Sequence, residues 1–479
     1  MLEYDKFKTY NMNVPTKIWL VLGSFLAFSL PTTVAQQDLN EDALQIKEIF
    51  DLALQESKGY EWLYDLTNEV GGRLAGSPEG AAAVEYGKQI METLNFDTIY
   101  LQPCYAPHWE RGDKELVRVA QSAIGSFELS ALALGNSVGT GPDGLVGEVI
   151  EVKSLDELRN LSDEEVKGKI IFFNRPFDNT QISTFSAYGG AVDQRVRGPL
   201  VASQKGAKAA IVRSMTNKID DNPHTGTTGR DDSIEPIPSV AISTLDAEEL
   251  SRALKLGSAS VYIRTTCIMH EEPVLTYNVI GEITGKTHPD EIILVGGHLD
   301  SWDVGGGAHD DGTGCVHSLQ VIELLEKIGY EPNRTLRCVL FMNEENGLAG
   351  GRAYWDASYE AEEFHMAAIE SDRGGFTPRG FSVDGHKDIF SNKYKQVYDW
   401  LPLLEPYGLS FQKGGSGADI GGLKDQKGLL FGFLPDSQRY FDYHHTSVDH
   451  IEAVNKRELE MGAASMTALV WLLDKYGLK

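Results

Sequence analysis

Cysteine is scarce. The chain has four in 479 residues, Cys104, Cys267, Cys315 and Cys338, scattered with no Cys-x-x-Cys pair. That spacing excludes a disulfide-stapled miniature fold, thiolate metal sites and redox dithiol motifs. Basic charge is short as well: 43 lysines and arginines stand against 70 acidic residues, for a formal charge of −27. Such a surface releases no counterions from a polyphosphate, which excludes nucleic acid as a partner. Long apolar runs are missing except at Ile18–Leu30, which follows Lys17 and precedes Pro31 and the small-residue stretch Thr33-Val34-Ala35. The run is shorter than the roughly 20 residues a membrane span needs. It reads as an export leader over residues 1–35, which predicts a secreted or periplasmic protein with no stable membrane insertion after cleavage. Gly71–Pro78 is rich in turn residues but lacks the lysine and the preceding strand of a phosphate-cradling loop, so it reads as a structural loop.

What remains is an ordinary globular composition, 42% apolar with 49 glycines and 18 prolines. The length implies two or three domains. Helical spacing runs from about Leu39 to Leu94 through Ile46, Ile49, Phe50, Trp62 and Leu66. Between about Leu116 and Ile263 the texture changes to short β-like runs separated by Gly, Asn, Asp and Pro. His224 lies there in the polar stretch Asn222–Gly226 and is expected to be solvated. After Thr265, strands at 277–283, 292–295, 336–341, 366–369 and 429–434 alternate with helices at 314–328 and 456–473. This pattern predicts an α/β sandwich around a mixed, mostly parallel sheet. The expected organisation is a leader over 1–35, a catalytic domain in two parts over 36–115 and 266–479, and an inserted β-rich domain over 116–265.

Chemistry gathers at the strand ends of the last part. The strand at 292–295 runs into His298-Leu299-Asp300, followed by His309-Asp310-Asp311; the next into Asn343-Glu344-Glu345; the next into Glu370-Ser371-Asp372; the last, past a turn, into His444-His445-Thr446 and Asp449. In a parallel sheet these ends share one edge, where ligands bind. Carboxylates placed directly after apolar strands need compensation, and imidazole plus carboxylate in comparable numbers suits zinc. Five such ligands are too many for one tetrahedral catalytic ion but suit two ions sharing a carboxylate.

The ordered set His298-x-Asp300, Ala308–Gly312, Asn343-Glu344-Glu345, Glu370-Ser371-Asp372 and His445-Thr446-x-x-Asp449 resembles the di-zinc exopeptidase family of bacterial zinc aminopeptidases and plasma glutamate carboxypeptidases, with its carboxypeptidase branch nearer. His108–Gly112 and Gly414–Ile420 are similar to further segments of that group. The resemblance implies a three-layer α/β/α zinc-peptidase fold and a protease-associated domain in the β-rich unit. It implies two zinc ions per chain, a peptide substrate and a homodimer. By the same resemblance Asp310 bridges both ions, His298 and Asp372 complete one site, and Glu345 and His445 complete the other. Glu344 is then the general base, and Asp300 the acceptor that orients the His298 imidazole. Asp311 is expected to be structural, and Arg373 is one candidate for a substrate-carboxylate contact. Two readings stand beside the exopeptidase: a single-zinc glutaminyl cyclase-like enzyme, and an inactive binding scaffold of the same fold. Aminopeptidase and dipeptidase or carboxypeptidase specificity both stay open.

Overall fold

A computed structural model describes residues 31–479, so all but the last five residues of the expected leader lie outside the described residues. The core is an eight-stranded mixed sheet. Its strands in chain order are β1 (Thr98–Ala106), β2 (Val274–Ile283), β3 (His288–His298), β4 (Arg334–Phe341), β5 (Phe364–Glu370), β6 (Pro378–Gly385), β7 (Ser410–Lys413) and β8 (Leu429–Pro435). They lie side by side as β1-β2-β4-β3-β5-β8-β6-β7. The centre, β4-β3-β5-β8, is parallel, while β1 and β2 on one side and β6 against β8 on the other run antiparallel.

Strand residues alternate between the two faces as the pleat requires. Val279, Ile293, Val295, Cys338, Leu340, Ala367 and Ile369 join one buried cluster with α1 (Pro31–Glu56), α2 (Pro78–Met91), α3 (Thr313–Lys327) and α5 (Lys456–Tyr476). Ile280, Leu294, Val339, Phe341 and Ala368 join another with Tyr354 of α4 (Ala349–Glu360). Because β3, β4 and β5 are covered on both faces, their inner residues are mostly apolar on both sides of the pleat, with Arg337 in β4 paired to Glu282 and Glu363. Helix α3 is buried almost all round, packed between sheet and neighbouring helices.

The segment between β1 and β2 builds a second eight-stranded sheet, from strands at 116–121, 127–129, 131–133, 145–152, 170–173, 209–213, 239–242 and 260–264. Four of these, from 145–152 to 239–242, are parallel neighbours, and parallel neighbours need crossovers. The unit therefore also holds helices, including 155–160, 184–189, 193–196, 198–204 and 244–256. Most are too short to leave a helical period in the sequence. Among the described residues all four cysteines are free and buried, and no helix is long and apolar enough to cross a membrane.

Candidate active site

The register of the central strands brings the site together. His298, the last residue of β3, pairs with Phe341 at the end of β4, and Gly296 pairs with Glu370 at the end of β5. Glu344 and Glu345 leave β4 at the height where Asp372 leaves β5. The chain after β8 turns through a short helix at Tyr440–Asp442 and delivers His444 and His445. Two residues in this region have left-handed backbone without being glycine: Asn343 (φ 71°), just before Glu344, and His445 (φ 62°). Such conformations persist where the surroundings over-determine them, commonly at functional sites.

The other four expected ligands gather around Asp310. Its Oδ1 lies 3.3 Å from His298 Nε2, and His298 Nε2 lies 3.4 Å from Asp372 Oδ1. Its other oxygen, Oδ2, lies 3.3 Å from His445 Nε2, which is 3.1 Å from Glu345 Oε2. His298, Asp310, Glu345 and His445 are buried, and Asp372 borders the cleft. Ligands about 2.0–2.1 Å from a tetrahedral zinc ion stand about 3.3 Å from one another. The four contacts match that spacing, in two groups that meet at the two oxygens of one carboxylate. Among the described residues Asp310 Oδ2 and Glu345 Oε1 have no hydrogen-bond partner, although both are buried. Orphaned buried oxygens of this kind call for a cation. The residues present fit a pair of metal ions.

The neighbours of these groups hold their orientation. His298 Nδ1–H donates to the main-chain carbonyl of Asp300 at 3.0 Å, which leaves Nε2 free to face Asp310. The expectation that the Asp300 carboxylate does this is corrected: it stands 3.8 Å from Nδ1 and instead accepts the Glu344 and Glu345 amides at 3.0 and 3.3 Å. Asp300 thus pins the Glu344-Glu345 turn to the end of β3. Asp311 accepts the amides of His298 and Gly314 and is structural. Asp449 accepts the amides of His309 and Asp310 at 2.8 and 3.1 Å, fixing the main chain that carries Asp310. Arg73, fully buried in the Gly71–Pro78 loop, donates to the carbonyls of Leu299, Gly306 and Gly307 and ties that loop to the segment carrying His298 and Asp310.

His445 is held from the second sheet. Thr225 donates its N–H to the His445 carbonyl at 3.0 Å, and its carbonyl accepts His445 Nδ1–H at 3.2 Å. His444 stacks on His445 and comes only to 3.7 Å from Asp310 Oδ2. His224, expected in solvent, is buried beside this contact with neither ring nitrogen hydrogen-bonded among the described residues, and burial lowers its pKa to about 4. Its polar neighbours in sequence gave no sign that the loop packs against His444 and His445. Thr225, Arg195 and Arg73 are the site residues that sequence reasoning missed, and Asp449 stood in the His445-Thr446-x-x-Asp449 motif without a role; each acts through a contact made far along the chain.

The crowding of acids moves their pKa values. Burial pushes Glu344 up to about 8, helped by Asp372, Asp300 and Asp310 and opposed by His298. Burial and Asp310 raise Glu345 as well. Burial opposes charge on His298, but Asp310 and Asp372 outweigh it and hold the imidazole well above its ordinary value. Glu344 faces a cavity of about 220 Å³ whose walls include Tyr188 and Arg195 from the second sheet's helices and Tyr440, Asp372 and His445 from the first. Arg373 lies outside this cavity, its guanidinium 4.7 Å over the Phe185 ring beside a neighbouring depression.

A three-layer α/β fold with a carboxylate-imidazole cluster and a free glutamate at the ends of its parallel strands defines a metallopeptidase. The model of peptidase family M28 matches residues 278–470. The chain is 32% identical to carboxypeptidase Q of Bos taurus over 423 residues, 88% of this chain and 85% of that protein. It is also 32% identical to carboxypeptidase Q of Homo sapiens over 436 residues, 90% of this chain and 88% of that one. A crystal structure of a peptidase M28 precursor from Shewanella amazonensis SB2B superposes with a TM-score of 0.86 at 30% identity, covering 92% of this chain and 99% of that one. The fold is shared with BSAP, a zinc aminopeptidase of Bacillus subtilis, at a TM-score of 0.62 and 22% identity over 88% of this chain and 96% of that one. The chain belongs to peptidase family M28.

Proposed function

We propose that this protein is an exported di-zinc exopeptidase that hydrolyses dipeptides or short peptides. The observation that carries the reading is the Asp310 carboxylate, with one oxygen 3.3 Å from His298 Nε2 and the other 3.3 Å from His445 Nε2. In this reading Asp310 bridges, His298 and Asp372 hold one ion, and Glu345 and His445 hold the other. His445 is preferred over His444 because it also reaches Glu345 and has its Nδ1–H fixed by Thr225. Zinc bound there supplies Lewis acidity that polarises the scissile carbonyl and acidifies a water molecule.

Glu344 moves the proton. Its carboxylate takes the proton of the attacking water and returns it to the leaving amine, a task that suits a group whose burial already favours proton uptake. Asp300 serves this step through the main chain by anchoring the Glu344 amide. Residues 116–265 act as a protease-associated-like insert whose Tyr188, Arg195 and Thr227 wall the cleft, while 36–115 and 266–479 form the catalytic domain and 1–35 the export leader. An inactive scaffold would not need a free glutamate beside a complete ligand set.

The test is metal analysis together with turnover of an apolar dipeptide by purified protein, wild type and Glu344→Gln. Two zinc equivalents in both, with turnover abolished only in the variant, is the expected result. Full activity in Glu344→Gln removes it as the base, and a single zinc with cyclisation of amino-terminal glutamine favours the cyclase.

A further inference from the structure

The two connections between the catalytic domain and the insert run side by side. On the way out, after β1, Trp109–Glu110 forms a short strand; on the way back, before β2, Ile268–Met269 pairs with it antiparallel, Glu110 opposite Ile268 and Trp109 opposite Met269. One step further the same register sets His270 opposite His108, whose carbonyl accepts the His270 amide at 2.9 Å. Side chains alternate between the faces of such a ribbon. Trp109 therefore turns into the core, 3% exposed and edge-on to Trp302, while His108, Glu110 and His270 share the outer face.

On that face the two imidazoles stack with centroids 4.0 Å apart, and both Nε2 atoms meet one carboxylate oxygen. Glu110 Oε1 is 2.9 Å from His270 Nε2 and 3.4 Å from His108 Nε2. An ordinary ion pair needs only one of these rings. Two rings and a carboxylate at these separations match the spacing of about 3.3 Å between ligands on one small cation. Two nitrogen donors select zinc or a neighbouring transition metal over calcium and magnesium, which take oxygen. We infer that His108, Glu110 and His270 bind a divalent transition-metal ion such as zinc, at a site separate from the Asp310 cluster, and that this ion clasps the outgoing and returning connections of the insert. Glu110 and His270 stand 160 residues apart with the whole insert between them, so the ion closes that loop at its base. The clasped ribbon carries Trp109, which packs on Trp302, itself edge-on to the His445 ring, and leads into Arg111, which pairs with Asp303. Fixing the ribbon thus fixes the insert beside the cleft. With three protein ligands and Glu110 54% exposed, the site is weaker than the buried cluster; it loses its ion on purification and takes it up from added zinc.

The test is calorimetric titration of zinc into purified protein that keeps its tightly bound metal, for wild type, Glu110→Gln and the double variant His108→Gln/His270→Gln, with calcium as the control. Wild type should take up one zinc equivalent more than either variant, and calcium should show no such difference. The readout is a difference, so it stands whether the buried cluster holds two ions, one or none, and does not depend on the peptidase reading. Amide exchange followed by mass spectrometry tests the clasp. With free zinc at about ten times its Kd, openings of the ribbon in wild type, the His270 amide included, should become about tenfold rarer, with no change in the variants. Equal zinc uptake by wild type and both variants overturns the site, as does an equivalent of calcium that only wild type binds. Exchange in wild type that zinc leaves unchanged overturns the clasp, even where a variant fails to fold.

Discussion

Stripping the metal should make the stability of this protein depend on pH in a way the loaded protein does not. Glu370 is the clearest group. It is 1% exposed, and its oxygens accept the amides of Ala418 and Ile420 at 2.9 Å. Burial, then Asp372, push its pKa up to about 8 against the pull of the Ile420 amide, with Glu344 adding to the rise. In the unfolded chain a glutamate titrates near 4.3. Between these values the metal-free folded state holds a proton that the unfolded state has shed, so unfolding releases it and stability falls as pH rises. The slope is about 1.4 kcal/mol per pH unit for each retained proton. From pH 5.5 to 7.5 one proton gives about 3 kcal/mol, or about 3 °C in Tm for a chain of this length, and more if Glu344 retains its own. Cations at the cluster offset the like charges and should flatten the dependence. The assay is differential scanning calorimetry of chelator-treated and zinc-loaded protein across that range. A metal-free protein as stable at pH 7.5 as at pH 5.5 refutes the reasoning, as does an identical slope in both forms.

Other perturbations separate the parts of the site. Glu344→Gln should keep its metal and lose about 10²–10⁴ in kcat, measured against metal content of the same sample. Asp310→Ala should lower metal occupancy at both positions, and two retained zinc ions would refute the bridging role. A Cβ on Gly226, whose φ is +133°, would stand 2.2 Å from Arg195 Nη1 and 2.7 Å from His445 Nδ1, so Gly226→Ala should cost the site one metal equivalent, read by mass spectrometry of the metal. Arg73→Met strands three buried carbonyls and should destabilise by about 3 kcal/mol, seen as a lower urea midpoint; an unchanged midpoint would show that water replaces the guanidinium.

The cluster was legible because His298, Glu345 and Asp372 stand at or within a few residues of the ends of apolar strands, parallel strands end together, and Asp310 and His445 arrive on the segments that follow β3 and β8. The chemistry of His298, Asp310, Glu345, Asp372 and His445 is therefore written in local motifs. The edges of the sheet were harder to see. β1 carries Pro103 in mid-strand, tolerable only because β1 pairs on one side, and β7 is four residues long. Hidden too was everything that reaches the site from the inserted unit. Thr225 meets His445 across 220 residues and Arg195 meets it across 250, through contacts that no spacing encodes. The Asp300 carboxylate shows the same limit at short range: its place two residues after His298 suggested one partner, and the backbone geometry gave it another.

The central claim is that two ions share the Asp310 carboxylate. Anomalous diffraction at the zinc absorption edge, from crystals of the zinc-loaded protein, tests it directly. Two peaks are predicted in this cluster, one between Asp310, His298 and Asp372 and one between Asp310, Glu345 and His445. A single peak there, or peaks that leave Asp310 bound on one side only, would contradict it.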